Sequence, residues 1–104
     1  MERKLRELEI WVAELDGVVT AWGAIRGDLL EGLYTAPEFA GCGMGSGVLT
    51  RLEGLMIARG IAAVHAEASS NAKAFYLRRG YRMSGPQIGE AWPIIKVLRQ
   101  TSGG

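Results

Sequence analysis

The sequence predicts an α+β fold, a mixed and mostly antiparallel sheet of about six strands with two helices, in a single domain spanning residues 1–104. Three observations carry this expectation. Apolar side chains alternate with period two through the first third of the chain. After Met44 the spacing lengthens to that of a helix. Glycines and turn dipeptides then mark the joints between segments. A chain of 104 residues is too short to divide into two cores, yet long enough to bury roughly 65% of its unfolded surface.

The elements follow in order. Leu8 to Leu15 alternates, with Leu8, Ile10 and Val12 on one face and Glu9, Trp11, Ala13 and Leu15 on the other. Asp16-Gly17 is a two-residue hairpin signal, because both central residues of that turn need positive φ. Val18 to Ile25 is apolar on both faces and reads as a central, covered strand. Arg26-Gly27-Asp28 turns the chain into a third strand, Leu29 to Thr35, completing an antiparallel meander. Met44, Val48, Leu52, Leu55 and Met56 then share one face of a long helix that stops at Gly60. Ile61 to Ala66 is a buried fourth strand, Asn71 to Arg79 a short helix closed by Gly80, and Tyr81 to Met83 a fifth strand. A turn-rich stretch, Ser84 to Glu90, leads to a sixth strand, Trp92 to Leu98, and Thr101 to Gly104 reads as a frayed tail.

Composition excludes several function classes. Twelve basic and eleven acidic side chains leave a net charge of +1, which gives no strongly basic footprint for nucleic acid or an anionic membrane. The single cysteine, Cys42, rules out an intramolecular disulfide framework and suits a reducing, cytoplasmic compartment. No apolar run approaches a membrane span, and Met1-Glu2-Arg3-Lys4 is not followed by a signal-peptide core. One histidine and one cysteine, far apart, make no metal site.

Chemistry concentrates in Gly41-Cys42-Gly43-Met44-Gly45-Ser46-Gly47, which joins the third strand to the long helix. Glycines let a backbone approach a ligand, and a helix start offers unpaired N–H groups and a favourable dipole to an anion. This is the physics of a phosphate cradle, although a glycine-rich turn without a ligand satisfies the same pattern. It is not a P-loop, since no lysine follows. The dinucleotide pattern G-x-G-x-x-G also fails, because Ser46, Val48 or Thr50 stands at the third glycine position in each frame.

A second segment runs Glu67-Ala68-Ser69-Ser70-Asn71-Ala72-Lys73-Ala74-Phe75-Tyr76-Leu77-Arg78-Arg79-Gly80-Tyr81. Together the two segments resemble the GNAT-type N-acetyltransferase family. Ala40-Gly41-Cys42-Gly43-Met44-Gly45 aligns with its Arg/Gln-x-x-Gly-x-Gly/Ala signature, and Ser69 through Tyr81 with Ser-x-Asn-Ala-x-x-Phe-Tyr-x-x-x-Gly-Phe/Tyr. The resemblance implies a GNAT-like fold and acetyl transfer from acetyl-CoA to a primary amine. It puts the coenzyme pyrophosphate on the main chain of Gly41, Cys42, Gly43, Met44, Gly45 and Ser46, and the pantetheine arm along Leu33, Tyr34 and Thr35. Asn71 is then either a contact to that arm or the N-cap of the second helix. Tyr76 becomes the general acid that protonates the leaving thiolate, or else a packing tyrosine.

The sequence departs from the family in two places. Ala40 stands where Arg or Gln is usual, and Cys42 where a basic residue is often found, so weaker coenzyme binding is expected. Cys42 itself is a small neutral loop residue or, at a helix N-terminus, a reactive thiol. For a base, Glu31 on the third strand is the leading candidate and His65 the lesser one. The acceptor, a small-molecule or peptide amine, is not legible.

Family members carry a strand and one or two helices before the meander. Here Met1 to Glu7 precede the first strand, so a short member lacking that segment is expected. Such a member exposes a strand edge and apolar surface, which favours a homodimer. A non-catalytic acyl-CoA-binding or dimerising interaction module of the same fold is the alternative function.

Overall fold

The computed structural model describes residues 7–98. Six strands and two helices appear in the predicted order: β1 (Glu9–Leu15), β2 (Val18–Arg26), β3 (Leu29–Thr35), α1 (Met44–Ala58), β4 (Ala63–Ala68), α2 (Ser70–Leu77), β5 (Arg82–Met83) and β6 (Trp92–Val97). They form one sheet of order β1-β2-β3-β4-β6-β5, in which every neighbouring pair is antiparallel except β3 and β4. The Asp16-Gly17 turn takes the positive φ values the hairpin requires.

Several boundaries move, three of them at the joints around β4 and α2. The fourth strand begins at Ala63 rather than Ile61, because the Ile61 N–H still bonds back to the Met56 carbonyl and finishes the end of α1. The second helix runs Ser70–Leu77, since the Ser69 hydroxyl caps it by accepting from the Ala72 N–H, while the Gly80 and Tyr81 N–H groups close its other end. Asn71 is therefore not the N-cap. Tyr81 precedes β5 and is buried instead, and the expected tail at Thr101 to Gly104 lies outside the described residues.

Both helices pack on one face of the sheet. On that face Val48 and Leu52 of α1 close over Gly23 of β2, where an added Cβ would stand 2.6 Å from Leu52. Val64, Ala66 and Ile94 continue the same layer under α2, with Tyr76 and Tyr81 filling its end. Leu49, Leu52 and Met56 are fully buried there, each contributing about 1.5–3 kcal/mol. Glu53 links this layer across elements: it accepts from the Tyr81 hydroxyl at 2.7 Å and from Lys96 Nζ at 3.0 Å.

The opposite face is open. The expectation of a central, covered β2 holds at Thr20, Ala21, Gly23, Ala24 and Ile25, which are buried, and fails at Trp22, which is 36% exposed beside Ile10 and Val12 of β1, 60% and 51% exposed. Among the described residues no helix lies over this face, so the apolar alternation of β1 and β2 fills two layers only on the α1 side.

Candidate active site

The parallel pairing of β3 and β4 is short and this shapes the site. Only Leu29 and Leu30 pair, with His65 and Ala66. From Glu31 onward the strands part, so the β4-facing edge of β3 has no ladder partner up to Thr35. Peptide groups along such an edge are free to pair with an extended ligand. At the crotch a cleft of about 250 Å³ is lined by Leu29, Leu30, Glu31 and Glu67. Leu33 is half-buried on the α1 side and Tyr34 lies exposed near Trp22, their ring centroids 6.0 Å apart.

Thr35 ends β3 against the glycine loop. Gly41 and Gly43 hold φ of +84° and +83°, which a side chain would strain. Gly45 answers a different constraint: an added Cβ would fall 2.4 Å from Thr35 Oγ1, so a side chain there would force the Thr35 hydroxyl or the first turn of α1 to shift. The N–H groups of Gly43, Met44, Gly45 and Ser46 make no hydrogen bond, the first backward bond of the helix being Gly47 N–H to the Gly43 carbonyl. These donors border a cleft of about 460 Å³ lined by Thr35, Phe39, Gly41, Met44, Ser46, Phe75, Arg78 and Arg79 among others. Cys42 is an exposed free thiol in the same loop.

The two arginines and Phe75 are the site residues that the sequence reading missed. Arg79 donates from Nε to Ser46 Oγ at 3.2 Å and from NH1 to the Phe75 carbonyl at 2.8 Å, and its guanidinium lies 3.7 Å from the Phe75 ring centroid. The signal was present, since Phe75 and Arg79 are spaced i, i+4 on a helix end. Its meaning depended on α2 ending against the start of α1.

Tyr76 is buried, edge-on to Phe75 at 5.3 Å and to Tyr81 at 5.2 Å between ring centroids. Burial pushes its hydroxyl up to about 12, so it stays protonated throughout the neutral range. It lines neither cleft described above. Asn71 is exposed at the opposite end of α2 from the arginines.

Glu31 lies on the open face, paired with Arg26 at 3.0 Å, roughly 13 Å along β3 from Thr35. Glu67 shares its cleft, brought there by the alternation that buries Ala66 and Ala68. His65 points to the same face, half-exposed and 3.9 Å from Asp28, outside that cleft. The arrangement thus sets unpaired N–H donors on the helix side of the opening and carboxylates on the other.

Comparison with known proteins gives this geometry a family. The chain is similar to a GCN5-related N-acetyltransferase of Rhodopseudomonas palustris, with a TM-score of 0.81 and 27% identity, covering 88% of this chain and 62% of that one. It shares its fold with the PaiA N-acetyltransferase of Thermoplasma acidophilum, solved in complex with coenzyme A (TM-score 0.79, 20% identity, 86% and 60% covered). The same holds for the ribosomal-protein-S18-alanine N-acetyltransferase of Escherichia coli (TM-score 0.76, 15% identity, 91% and 72% covered). The chain thus spans about three fifths of the length of the first two. No curated protein matches it. The acetyltransferase (GNAT) domain family description matches residues 1–94, and the chain belongs to that family.

Proposed function

We propose that this chain is an acetyl-CoA-dependent N-acetyltransferase acting on a primary amine. The observation that carries the reading is the row of unpaired N–H groups from Gly43 to Ser46, bordering a cleft that two arginines also line. That donor set fits a pyrophosphate: dipole, main-chain donors and cations all favour an anion there. In this reading Gly41, Cys42, Gly43, Met44, Gly45 and Ser46 hold the pyrophosphate. The unpaired edge at Leu33, Tyr34 and Thr35 takes the pantetheine arm, and Asn71 contacts that arm from α2.

The coenzyme supplies an activated acetyl carbon, to which the amine nitrogen bonds as the C–S bond breaks and the sulfur leaves as thiolate. Tyr76, held protonated by burial, gives its proton to that sulfur. Glu31 takes the proton released by the amine, directly or through water, and with Glu67 favours a cationic acceptor at the open end of the cleft. A main-chain N–H of the parted β3 edge steadies the charge that develops on the carbonyl oxygen. The reading also includes a single domain, a cytoplasmic setting and a homodimer. The exposed free thiol supports the second, and among the described residues no helix is long and apolar enough to cross a membrane. The edge position of β1 and its exposed Ile10 and Val12 support the third.

The test is calorimetric titration with acetyl-CoA, followed by assay of thiol release with a panel of primary amines. One-site binding and amine-dependent release support the transferase. Binding without release by any amine supports the non-catalytic acyl-CoA module instead.

A further inference from the structure

Tyr76 supplies the proton in the proposed reaction, yet its hydroxyl makes no hydrogen bond with a described residue. Its aim is therefore set by the packing of its ring, and Tyr81 is one wall of that packing. The Tyr81 ring meets it edge-on at 5.2 Å between centroids, and the Tyr81 N–H donates to the Tyr76 carbonyl at 3.2 Å. Tyr81 is buried and is fixed in turn by a carboxylate from another element. Its hydroxyl donates to Glu53 Oε2 at 2.7 Å, and Lys96 Nζ of β6 donates to Oε1 at 3.0 Å. Both oxygens of Glu53 are thus committed, and its side chain is 14% exposed. The stem of Lys96 passes Gly80, where an added Cβ would stand 3.2 Å from Cε. The left-handed glycine that closes α2 therefore also clears the path of the lysine to Glu53.

A partly enclosed ion pair adds little net stability, because taking two charges out of water offsets their attraction. What the Glu53 carboxylate does add is direction, since a charge-assisted hydrogen bond holds the Tyr81 phenol in one pose. We propose that Glu53 and Tyr81 are positioning residues for the general acid, the carboxylate fixing the Tyr81 ring and that ring fixing the aim of the Tyr76 hydroxyl. The inference rests on the general-acid reading of Tyr76 and adds what holds that acid in place. Glu53 lies on α1, whose first turn carries the proposed pyrophosphate cradle, so cradle and acid share one helix as their support.

The experiment compares the wild type with Tyr81→Phe, Glu53→Ala, Glu53→Gln, Tyr76→Phe and the Tyr76→Phe/Tyr81→Phe double variant. Tyr81→Phe keeps the ring and the Glu53–Lys96 pair and removes only the hydroxyl. In the free protein, the Tyr76 titration is the difference in tyrosinate absorbance between a chain and its Tyr76→Phe counterpart. Its midpoint, about 12 in the wild type, is expected to fall in Tyr81→Phe toward the value near 10 of a tyrosine in water. With acetyl-CoA and an amine acceptor, Tyr81→Phe should lower kcat about fivefold and hold KM for acetyl-CoA within about twofold. Glu53→Ala should lose at least as much, and Glu53→Gln, which still offers Tyr81 an oxygen, should recover part of it. The double variant separates positioning from stability alone. Loss of the hydrogen bond should lower the thermal midpoint by roughly 5 °C in either background, whereas kcat should fall no further below that of Tyr76→Phe. An unmoved titration midpoint in Tyr81→Phe, or a loss of kcat repeated in full in the Tyr76→Phe background, overturns the assignment and leaves the general-acid reading intact. A wild-type rate in Tyr76→Phe overturns the general-acid reading and the assignment with it.

Discussion

Tyr76 and Glu31 carry opposite halves of the proposed proton traffic and occupy opposite environments. Tyr76 lies between two aromatic rings in the core, whereas Glu31 sits half in water beside Arg26. Burial holds the Tyr76 hydroxyl up to about 12, a raised value for an acid whose charged form is penalised. Its contribution to stability is therefore complete below the unfolded value near 10 and is lost as pH rises through about 12. The difference between the tyrosinate titrations of wild type and Tyr76→Phe should have its midpoint near 12; a midpoint near 10 means that the hydroxyl is in water. In turnover, Tyr76→Phe should cost about 100-fold or more and remove the alkaline limb of the pH profile. An unchanged rate and profile make Tyr76 a packing residue. The sequence made Tyr76 and Glu31 legible as candidates, the first through a motif and the second through strand alternation. Arg79 and Glu67 were not legible, because each acquires its role from a partner far along the chain: Ser46 is 33 residues from Arg79, and the Glu67 cleft exists only where β4 lies beside β3.

At the scale of elements, the joint between β3 and α1 sets the position of the cradle, and its glycines divide by the constraint each one meets. Gly45 faces Thr35 so closely that a Cβ would collide with the hydroxyl, whereas Gly47 has open space around it. Gly45→Ala should force Thr35 or the first helical turn to shift. Overpacking of this kind costs about 1–3 kcal/mol, or roughly 10 °C in thermal midpoint, and it should weaken acetyl-CoA binding as the unpaired N–H groups move. Gly47→Ala, by contrast, should leave the midpoint unchanged or raise it through helix propensity. Equal effects from the two substitutions contradict the close approach. Most of the element order follows from periodicity, because hairpin turns and amphipathic spacing are local properties. The start of β4 was misplaced because the end of α1 captures the Ile61 N–H, and an apolar run cannot show that its first residue closes the preceding helix.

At the scale of the whole molecule, one sheet face carries both helices and the other carries Ile10, Val12, Trp22 and Tyr34 in the open, with β1 as the sheet's edge among the described residues. The sequence predicted a central, covered β2 because apolar residues fill both of its faces, and alternation cannot tell a covered face from one left for a partner. A second copy on this surface is the proposed occupant, and light scattering at micromolar concentration should give twice the mass of the chain. A mass of one chain contradicts that part of the reading without touching the coenzyme site. The parting of β3 from β4 connects the two faces, so the proposed cofactor cradle on one side and the carboxylates on the other can serve the proposed reaction. The most direct test of that account is the heat of acetyl-CoA binding to the wild-type chain. One coenzyme per chain, with affinity that falls as salt is raised, is the result it predicts. No heat at millimolar acetyl-CoA contradicts it.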